Sequence, residues 1–493
     1  MPLLKKTLGA LVVGVVLGGG WLVDYFFLAD APAPVAADPL LIRDVTHLNP
    51  QRVRQVLVPT SESEMQRALR ETSGPVSIGG GRFSQGGHTA HPDGLHLDLR
   101  NYNQVLQFEP ERKRIRVQAG ITWRALQEHI DPAHLAVQVM QTYANFTVGG
   151  SLSVNAHGRY IGQGSLVHSV LALRLLCADG TILDLSPTSR PEIFHAVIGG
   201  YGGLGVILDA TLQLADNTRV KRDHQDMPAA DYPAWFAREI RDQPKVIFHN
   251  ADLFPPEYQA VRAVSWRETD LPVTVAARLH PRWQDHRFRA RLVDFVADYR
   301  AGKWLRQHVF EPILYRQPAV HWRNYEASYD VAELEPASRE KTTYALREYF
   351  VPVDQFAAFT RRMADIFRRH QVNVLNVSLR HARPDPHTVL SWSPEEVFAF
   401  VVYYRQGTDP GSQQAVDAWS RELIDAALSV GGRYYLPYQP SATPAQFARA
   451  YPGVEKFRAL KRQVDPANRF SNAFWQKYLT AERPGREAGD RRN

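Results

Sequence analysis

The feature that most constrains the fold is a glycine-rich loop at residues 79–87, which directly follows the short β-branched run at 76–78. Glycine adopts backbone conformations that other residues avoid, so such a loop can turn its N–H groups towards a bound anion. A tight hairpin turn would explain the same residues. The loop does not have the G-x-G-x-x-G order of a nicotinamide-dinucleotide turn. It therefore predicts either a plain turn or a phosphate-binding loop of another kind.

Four further motifs follow this loop in order. They are a glycine-rich run at 147–158 that continues to 165, a segment at 173–180 ending Ala-Asp-Gly, a glycine cluster at 199–207, and a C-terminal group at 460–472 that contains Asp465-Pro466. Together with the first loop, these motifs resemble the FAD-binding domain of the vanillyl-alcohol oxidase and p-cresol methylhydroxylase (PCMH) flavoprotein superfamily. The resemblance covers about residues 53–220 and the last fifty residues.

The resemblance implies which residues contact FAD. The 79–87 loop would hold the pyrophosphate, with Ser84 and Gln85 donating hydrogen bonds. Val206 would pair its backbone with the adenine or flavin edge, and Asn472 would reach the flavin ring. The full set of implied cofactor-binding residues is Gly79, Gly80, Gly81, Arg82, Phe83, Ser84, Gln85, Gly86, Gly87, Thr147, Gly149, Gly150, Ser153, Gly158, Ser165, Gly205, Val206 and Asn472.

One position departs from the pattern of the superfamily. Many members attach the flavin covalently through the histidine of a His-Ser-x-x-Gly motif, and the matching residues here begin with Phe83. A phenyl ring cannot form that bond, and His88 is displaced from the matching position. The sequence therefore predicts dissociable FAD, which the resemblance associates with a dehydrogenase or a modest oxidase.

The strand predicted at 376–381 carries the residue that we expect to act on the flavin. It is similar to the sugar-lactone and alditol oxidase branch, in which a Glu-x-Arg pair faces flavin and substrate. Arg380 matches the arginine, but Ser378 replaces the glutamate, which argues against a simple polyol or aldonolactone substrate. A fixed positive charge at Arg380 would stabilise the anionic reduced flavin, although a structural ion pair would also explain this residue.

Alcohol oxidation also requires a base that accepts the hydroxyl proton. By residue type the candidates are His381, Tyr403 and Tyr438, although aromatic side chains in such segments are more often core residues. Alternation along a strand places His381 on the face opposite Arg380, which argues against it. The predicted catalytic residues are therefore Arg380, Tyr438 and Tyr403.

The N-terminus carries a predicted membrane segment. Lys5 and Lys6 precede an apolar stretch at 8–28 that is interrupted by Asp24, long enough to span a bilayer. The basic residues would stay in the cytoplasm and place the body on the periplasmic side of a bacterial inner membrane. A cleavable signal peptide is the alternative, because residues 35–37 are small, and it would export the protein.

Composition excludes several other classes. The formal net charge is +7, but the basic residues are scattered, so we expect no nucleic-acid partner. Cys177 is the single cysteine, which rules out an internal disulfide and a thiolate metal cluster within one chain. The histidines show no H-E-x-x-H spacing, so no metal is predicted.

The predicted fold is α+β. A PCMH-type FAD-binding domain of two subdomains precedes a second α+β substrate domain, the cap, and one membrane or signal segment precedes both. The predicted ranges are 1–30 for that segment, 31–50 for a linker, 51–220 for the FAD-binding domain, 221–430 for the cap, 431–480 for a segment returning to the flavin, and 481–493 for a charged tail.

The predicted function is FAD-dependent oxidation of a CH–OH group. The substrate would be a sugar-like or lipid-linked alcohol that transfers hydride to flavin N5, and oxygen, quinone or another membrane acceptor would take the electrons. Two alternatives stay open. One is a flavin-dependent reductase of a double bond, although no separate nicotinamide motif is visible, and the other is a non-catalytic envelope protein that keeps the FAD fold.

Overall fold

The computed structural model of the chain describes residues 38–282, 287–334, 336 and 338–479. The predicted membrane segment, the small residues at 35–37 and the charged tail lie outside these ranges. Within them, no helix combines the length and the apolar character needed to cross a bilayer.

The first subdomain is built on a small parallel sheet. Its strands β3, β5 and β4 lie side by side in that order, and the N-terminal pair β1–β2 is antiparallel. The Ser61 hydroxyl caps helix α1 by accepting from the Glu64 amide, and α1 buries Met65 and Leu69. The bounds are β1 Leu41–Ile42, β2 Gln51–Arg52, β3 Gln55–Leu57, α1 Glu62–Glu71, β4 Val76–Gly79 and β5 Leu95–Asp98.

A second, antiparallel sheet completes this half of the molecule. Its strand order is β10-β9-β11-β7-β6, and β8 pairs with the far end of β11. The bounds are β6 Val105–Glu109, β7 Arg114–Gln118, α2 Trp123–Ile130, β8 Leu135–Val137, α3 Val148–Ser153, β9 Val170–Leu176, β10 Ile182–Leu185, α4 Pro191–Val197 and β11 Val206–Asp216.

The cap is an eight-stranded sheet covered by helices. The described strands run in the order β15-β12-β14-β13-β17-β18-β16-β19, and every pair is antiparallel. The strands are β12 Arg219–Pro228, β13 Val246–Leu253, β14 Ala260–Glu268, β15 Val320–Trp322, β16 Thr342–Pro352, β17 Val374–Ala382, β18 Val397–Gly407 and β19 Arg433–Tyr434. The helices are α5 Tyr232–Glu239, α6 Arg287–Asp298, α7 Arg300–Leu305, a π-helical turn Arg306–Phe310, α8 Glu311–Arg316, α9 Arg323–Glu326, α10 Phe356–Arg369 and α11 Pro410–Leu428.

Alternation along the central cap strands separates core from cleft. On β18, Phe400 packs edge-on against Phe359 of α10 and Tyr404 against Trp419 of α11. The intervening side chains Val401 and Tyr403 line a cleft on the opposite face. Successive residues of a strand point to opposite faces, so one strand serves both the core and the cleft.

The C-terminal segment returns to the first subdomain. Helices α12 Pro444–Ala450, α13 Val454–Val464 and α14 Ala473–Leu479 end the described chain. The buried Lys461 ammonium donates to the carbonyls of Gly203 (2.6 Å) and Phe470 (2.8 Å) and pairs with Asp465 (2.8 Å). Three oxygen partners satisfy the three N–H groups of this cation, which ties the C-terminal motif to the 199–205 turn.

Candidate active site

A cleft lies between the first half of the molecule and the cap. One wall is formed by the loop after β4, the start of α3 and the turn at 200–205. The opposite wall is formed by β16, β17, β18 and the segment 435–438. Elements from both halves of the chain therefore converge on one site.

The loop after β4 is held in place by close packing and by an ion pair. A Cβ at Gly80 would overlap Oγ1 of Thr147, so the backbone passes closer to that side chain than any other residue would allow. Thr147 caps α3 by accepting from the Gly150 amide at 3.2 Å. Arg82 pairs with the buried carboxylate of Asp98 at the end of β5 (2.8 Å).

Most of the implied cofactor-binding residues form the cleft wall. Eight glycines expose backbone along this wall, which is the surface that a pyrophosphate needs for close approach and N–H donation. The residues present therefore fit a dinucleotide such as FAD. The implied residues that line the cleft are Gly80, Gly81, Arg82, Phe83, Ser84, Gln85, Thr147, Gly149, Gly150, Ser153 and Gly205.

The other implied residues lie behind the wall. Asn472 differs from the expectation that it reaches the flavin ring, because its amide donates to the Tyr201 carbonyl and its oxygen accepts from the Trp475 amide, both at 2.9 Å. Ser165 is fully buried, and Val206 is paired with Leu176 in the second sheet. The complete set behind the wall is Gly79, Gly86, Gly87, Gly158, Ser165, Val206 and Asn472.

The position of the usual attachment histidine is occupied by Phe83, whose side chain contains no nitrogen. The Phe83 ring lines the cleft and stacks on Phe146, with 4.3 Å between the ring centroids. His88 also reaches the cleft wall, where its ring stacks on Phe474 at 4.5 Å. Burial lowers the pKa of His88 to about 3, so the ring is neutral.

The structure brings the three predicted catalytic residues into the same cleft. Arg380 projects from β17, Tyr403 from β18, and Tyr438 from the segment after β19. Nε of Arg380 is buried and makes no hydrogen bond within the described residues. His381 points to the other face, as alternation predicts, where it pairs with Glu396 at 2.6 Å and packs against Phe236.

Sequence reasoning missed Glu348, a buried carboxylate on the cap side of the cleft. Its Oε1 accepts from Nε2 of His157 at 2.6 Å, and its Oε2 accepts from the Tyr438 hydroxyl at 3.2 Å. In the register of the sheet, Glu348 faces Val401, and Val401 faces Ser378 on its other side. A carboxylate is thus present in the same row of the sheet as Ser378, two strands away.

The tyrosine in this network stays protonated at neutral pH. Burial, followed by the negative charge of Glu348, raises the pKa of Tyr438 well above its usual value. The phenol therefore donates its hydrogen to the carboxylate instead of ionising. His157, Glu348 and Tyr438 therefore form one connected hydrogen-bond network, in which His157 and Glu348 are buried and Tyr438 is partly buried.

Comparisons with known proteins agree with this geometry. The family model described as FAD binding domain matches residues 53–186, and the one described as D-arabinono-1,4-lactone oxidase matches residues 254–478. The L-gulonolactone oxidase of Bos taurus is 26% identical over 443 residues, which are 85% of this chain and 93% of that protein.

Two further relatives have related descriptions. The decaprenylphosphoryl-beta-D-ribose oxidase of Mycolicibacterium smegmatis is 23% identical over 428 residues, covering 81% of this chain and 88% of that protein. The mitochondrial L-galactono-1,4-lactone dehydrogenase of Brassica oleracea is 28% identical over 191 residues, covering 37% of this chain and 31% of that protein.

The matches cover both halves of the cleft. The FAD-binding prediction for the first half and the enzyme class are confirmed. The chain belongs to the vanillyl-alcohol oxidase and PCMH flavoprotein superfamily, in its sugar-lactone and alditol oxidase branch, and is an FAD-linked oxidase or dehydrogenase that acts on CH–OH donors.

Proposed function

We propose that the protein oxidises a CH–OH group of a sugar-like or lipid-linked alcohol. The observation that carries this proposal is the meeting of Arg380 with the His157–Glu348–Tyr438 network in one cleft, opposite the glycine-rich wall. Such a cleft holds both a positive charge and a proton acceptor where the cofactor would lie. Alcohol oxidation requires both.

A bound FAD would supply the acceptor for the hydride that leaves the substrate carbon. The hydroxyl proton must leave at the same time, and the chain supplies a path for it. Tyr438 accepts this proton as it passes its own proton to Oε2 of Glu348, so the phenol never has to ionise alone. Nε2 of His157 holds the carboxylate at Oε1 and fixes its orientation. The pair of hydrogen bonds keeps the proton acceptor in place before substrate arrives.

Arg380 has a separate electrostatic role in the proposal. A guanidinium fixed on the cleft wall would stabilise the negative charge of a reduced cofactor more strongly than water does in a buried site. Tyr403 lines the same wall, and its ring packs against Tyr344 at 5.4 Å between centroids. We assign Tyr403 to the substrate-facing surface.

The cofactor is proposed to be dissociable. Phe83 occupies the attachment position and its ring is engaged by Phe146, so this position offers no nucleophilic nitrogen to the flavin. FAD would then be held by the glycine-rich wall alone, through backbone N–H groups and the Ser84 hydroxyl.

The electron acceptor and the location complete the proposal. We propose that oxygen, quinone or another membrane acceptor takes the electrons, and that the N-terminal segment holds the body on the periplasmic side of a bacterial inner membrane or directs its export. The apolar stretch at 8–28 and the basic residues before it support this assignment.

Spectroscopy tests the proposal in two steps. The purified full chain should be yellow, and acid precipitation should leave the colour in the supernatant, because the FAD is not bonded to the protein. L-gulonolactone and a polyprenylphosphoryl pentose are then added separately under anaerobic conditions. One of the two compounds should bleach the flavin absorbance band. A flavin that is bleached by NADH or NADPH and by neither alcohol would instead favour the reductase, and a colourless chain that takes up no FAD would contradict the whole assignment.

A further inference from the structure

The helical excursion at 287–316, inserted between β14 and β15, turns charged side chains towards the cap sheet. Lys303 donates from Nζ to Oδ1 of Asn373 (2.7 Å) and to the Val374 carbonyl (2.9 Å). Arg306 donates to the Leu375 carbonyl at 3.1 Å. The inner side of these helices is therefore anchored by polar contacts to the start of β17.

An ionic cluster continues this polar underside. Glu311 lies between two guanidinium groups, with Arg306 Nε at 2.6 Å and Arg262 Nη1 at 2.9 Å. Arg262 is almost fully buried and pairs in turn with Asp226 on β12 at 2.7 Å. These contacts fix which side of the excursion faces the protein.

The outer side of the same helices is apolar. Trp304 is 57% exposed, Phe310 43%, Ile313 55% and Leu314 53%. Phe310, Ile313 and Leu314 stand at positions i, i+3 and i+4, which share one face of a helix. We call these four side chains the docking face.

In residues 303–314 the charged side chains face the protein and the large apolar side chains face outward, which is opposite to the usual arrangement of a surface helix. A surface helix normally buries its apolar stripe and exposes its charges. Of the eight large hydrophobic side chains that are exposed in the described part of the chain, five lie within residues 299–314. Such a concentration is typical of a surface that contacts a membrane or another protein.

The charge of the segment indicates which kind of partner fits the docking face. Residues 287–316 contain seven Lys or Arg residues and three Asp or Glu residues, and two of the seven basic side chains, Lys303 and Arg306, face the cap. Arg316 closes the excursion and is exposed beside Leu314. Basic residues next to tryptophan and large aliphatic side chains are typical of helices that lie in the interface of an anionic bilayer.

The excursion also adjoins Tyr344 and Tyr403 of the cleft wall, and we call this part of the cleft the substrate end because the proposed function places the substrate against Tyr403. Asp294 of α6 accepts from the Tyr344 hydroxyl at 2.7 Å, and Ala297 packs in one cluster with Tyr344, Leu375 and Tyr403. Tyr344 and Tyr403 both line the cleft. A surface bound to the docking face would therefore lie next to the helix that contacts these two lining residues.

We propose that the docking face inserts into the surface of an anionic phospholipid bilayer and holds the cap, with the substrate end of the cleft, against the membrane. In this position a lipid-linked alcohol would reach the cleft directly from the bilayer, a consequence that rests on the proposed function. The docking itself requires only the docking face and the exposed basic side chain of Arg316 beside it.

A local depth measurement tests the docking without measuring turnover. A nitroxide is placed on the full chain at Ile313→Cys, with Leu106→Cys as the matched control, because Leu106 is 43% exposed on β6 of the other half. The native Cys177 is buried in both proteins. With vesicles of phosphatidylglycerol and phosphatidylcholine, the label at 313 should gain access to oxygen and lose access to a water-soluble nickel complex by several-fold, while the label at 106 stays in water.

Two other results would overturn the proposal. If the chain binds the vesicles but the label at 313 remains as accessible to the nickel complex as the label at 106, another part of the chain holds the membrane. If the label at 313 is already shielded before vesicles are added, a second copy of the chain covers the face instead. Neither result depends on flavin reduction, so a failure of docking is separate from a failure of the proposed reaction.

Discussion

Nε2 of His157 lies 2.6 Å from Oε1 of Glu348, and both side chains are buried in the wall of the cleft. His157 comes from the glycine-rich run of the first half, whereas Glu348 comes from the cap strand β16. This hydrogen bond therefore joins the two halves at the point where we propose that the substrate proton is received.

Replacing this carboxylate should stop turnover without removing the cofactor. In Glu348→Gln the amide keeps the shape of the side chain but is a far weaker proton acceptor, so the rate of flavin reduction by substrate should fall about 10²- to 10⁴-fold. Stopped-flow absorbance under anaerobic conditions measures this rate. The matched control is Glu340→Gln, an exposed residue just before the same strand, which should reduce flavin at the wild-type rate. A Glu348→Gln protein with full flavin content and an unchanged rate would remove Glu348 from the mechanism.

Arg380 should set the reduction potential of the flavin. In Arg380→Met the stabilising positive charge is lost, so the midpoint potential should fall by roughly tens of millivolts at the distances typical of a cleft wall. Spectroelectrochemical titration gives the value. Arg383→Met is the control, because Arg383 follows the same strand and its side chain is half exposed beside Asp242. Equal potentials in wild type and Arg380→Met would show that the guanidinium acts elsewhere.

The close approach at Gly80 predicts a defect in cofactor binding. A methyl group there would overlap Oγ1 of Thr147 and displace this side chain from the N-terminus of α3, where it accepts from the Gly150 amide. Gly80→Ala should therefore lower the FAD content of the purified protein more than tenfold. Removing the obstructing hydroxyl in Gly80→Ala/Thr147→Ala should restore part of that content. Gly411→Ala at the start of α11, which does not line the cleft, serves as the tolerated control. If Gly80→Ala binds FAD normally, the loop does not touch the cofactor.

Buried histidines predict a loss of stability in acid. Burial, followed by the nearby charge of His381, lowers the pKa of His249 to about 3. The unfolded state therefore binds a proton that the folded state does not, and stability that is complete above pH 6.5 is lost as the pH falls towards 3.

The variant His249→Gln tests this linkage. Glutamine can still bond to Tyr232 and Ser265, the two partners of the imidazole, but it does not titrate. The free energy of unfolding should therefore fall less steeply between pH 6 and 4 than in the wild type, by up to about 1.4 kcal/mol per pH unit. Denaturant titrations at several pH values measure the slope. Parallel slopes would show that His249 is already protonated in the folded protein.

Local patterns in the sequence predicted much of this site. The glycine-rich runs predicted either tight turns or places where backbone comes close to another group, and the structure shows such a close approach at Gly80. Alternation along 376–381 placed Arg380 and His381 on opposite faces, as the structure has them. The missing attachment histidine at Phe83 is likewise a property of the sequence alone. Each of these conclusions depends on residues that are neighbours in the chain.

The tertiary structure decided the features that join distant residues. Glu348 lies in the same row as Ser378 only because β16, β18 and β17 pair in one register, and strand register is set by packing across the whole sheet. Asn472 serves the glycine turn because the C-terminal helices fold back onto it. The exposed docking face could not be read from amphipathicity, which would have turned the apolar residues inward. The local motifs, through the family resemblance that they carry, indicated the cofactor and the class of chemistry, whereas non-local pairing decided which side chains meet in the cleft.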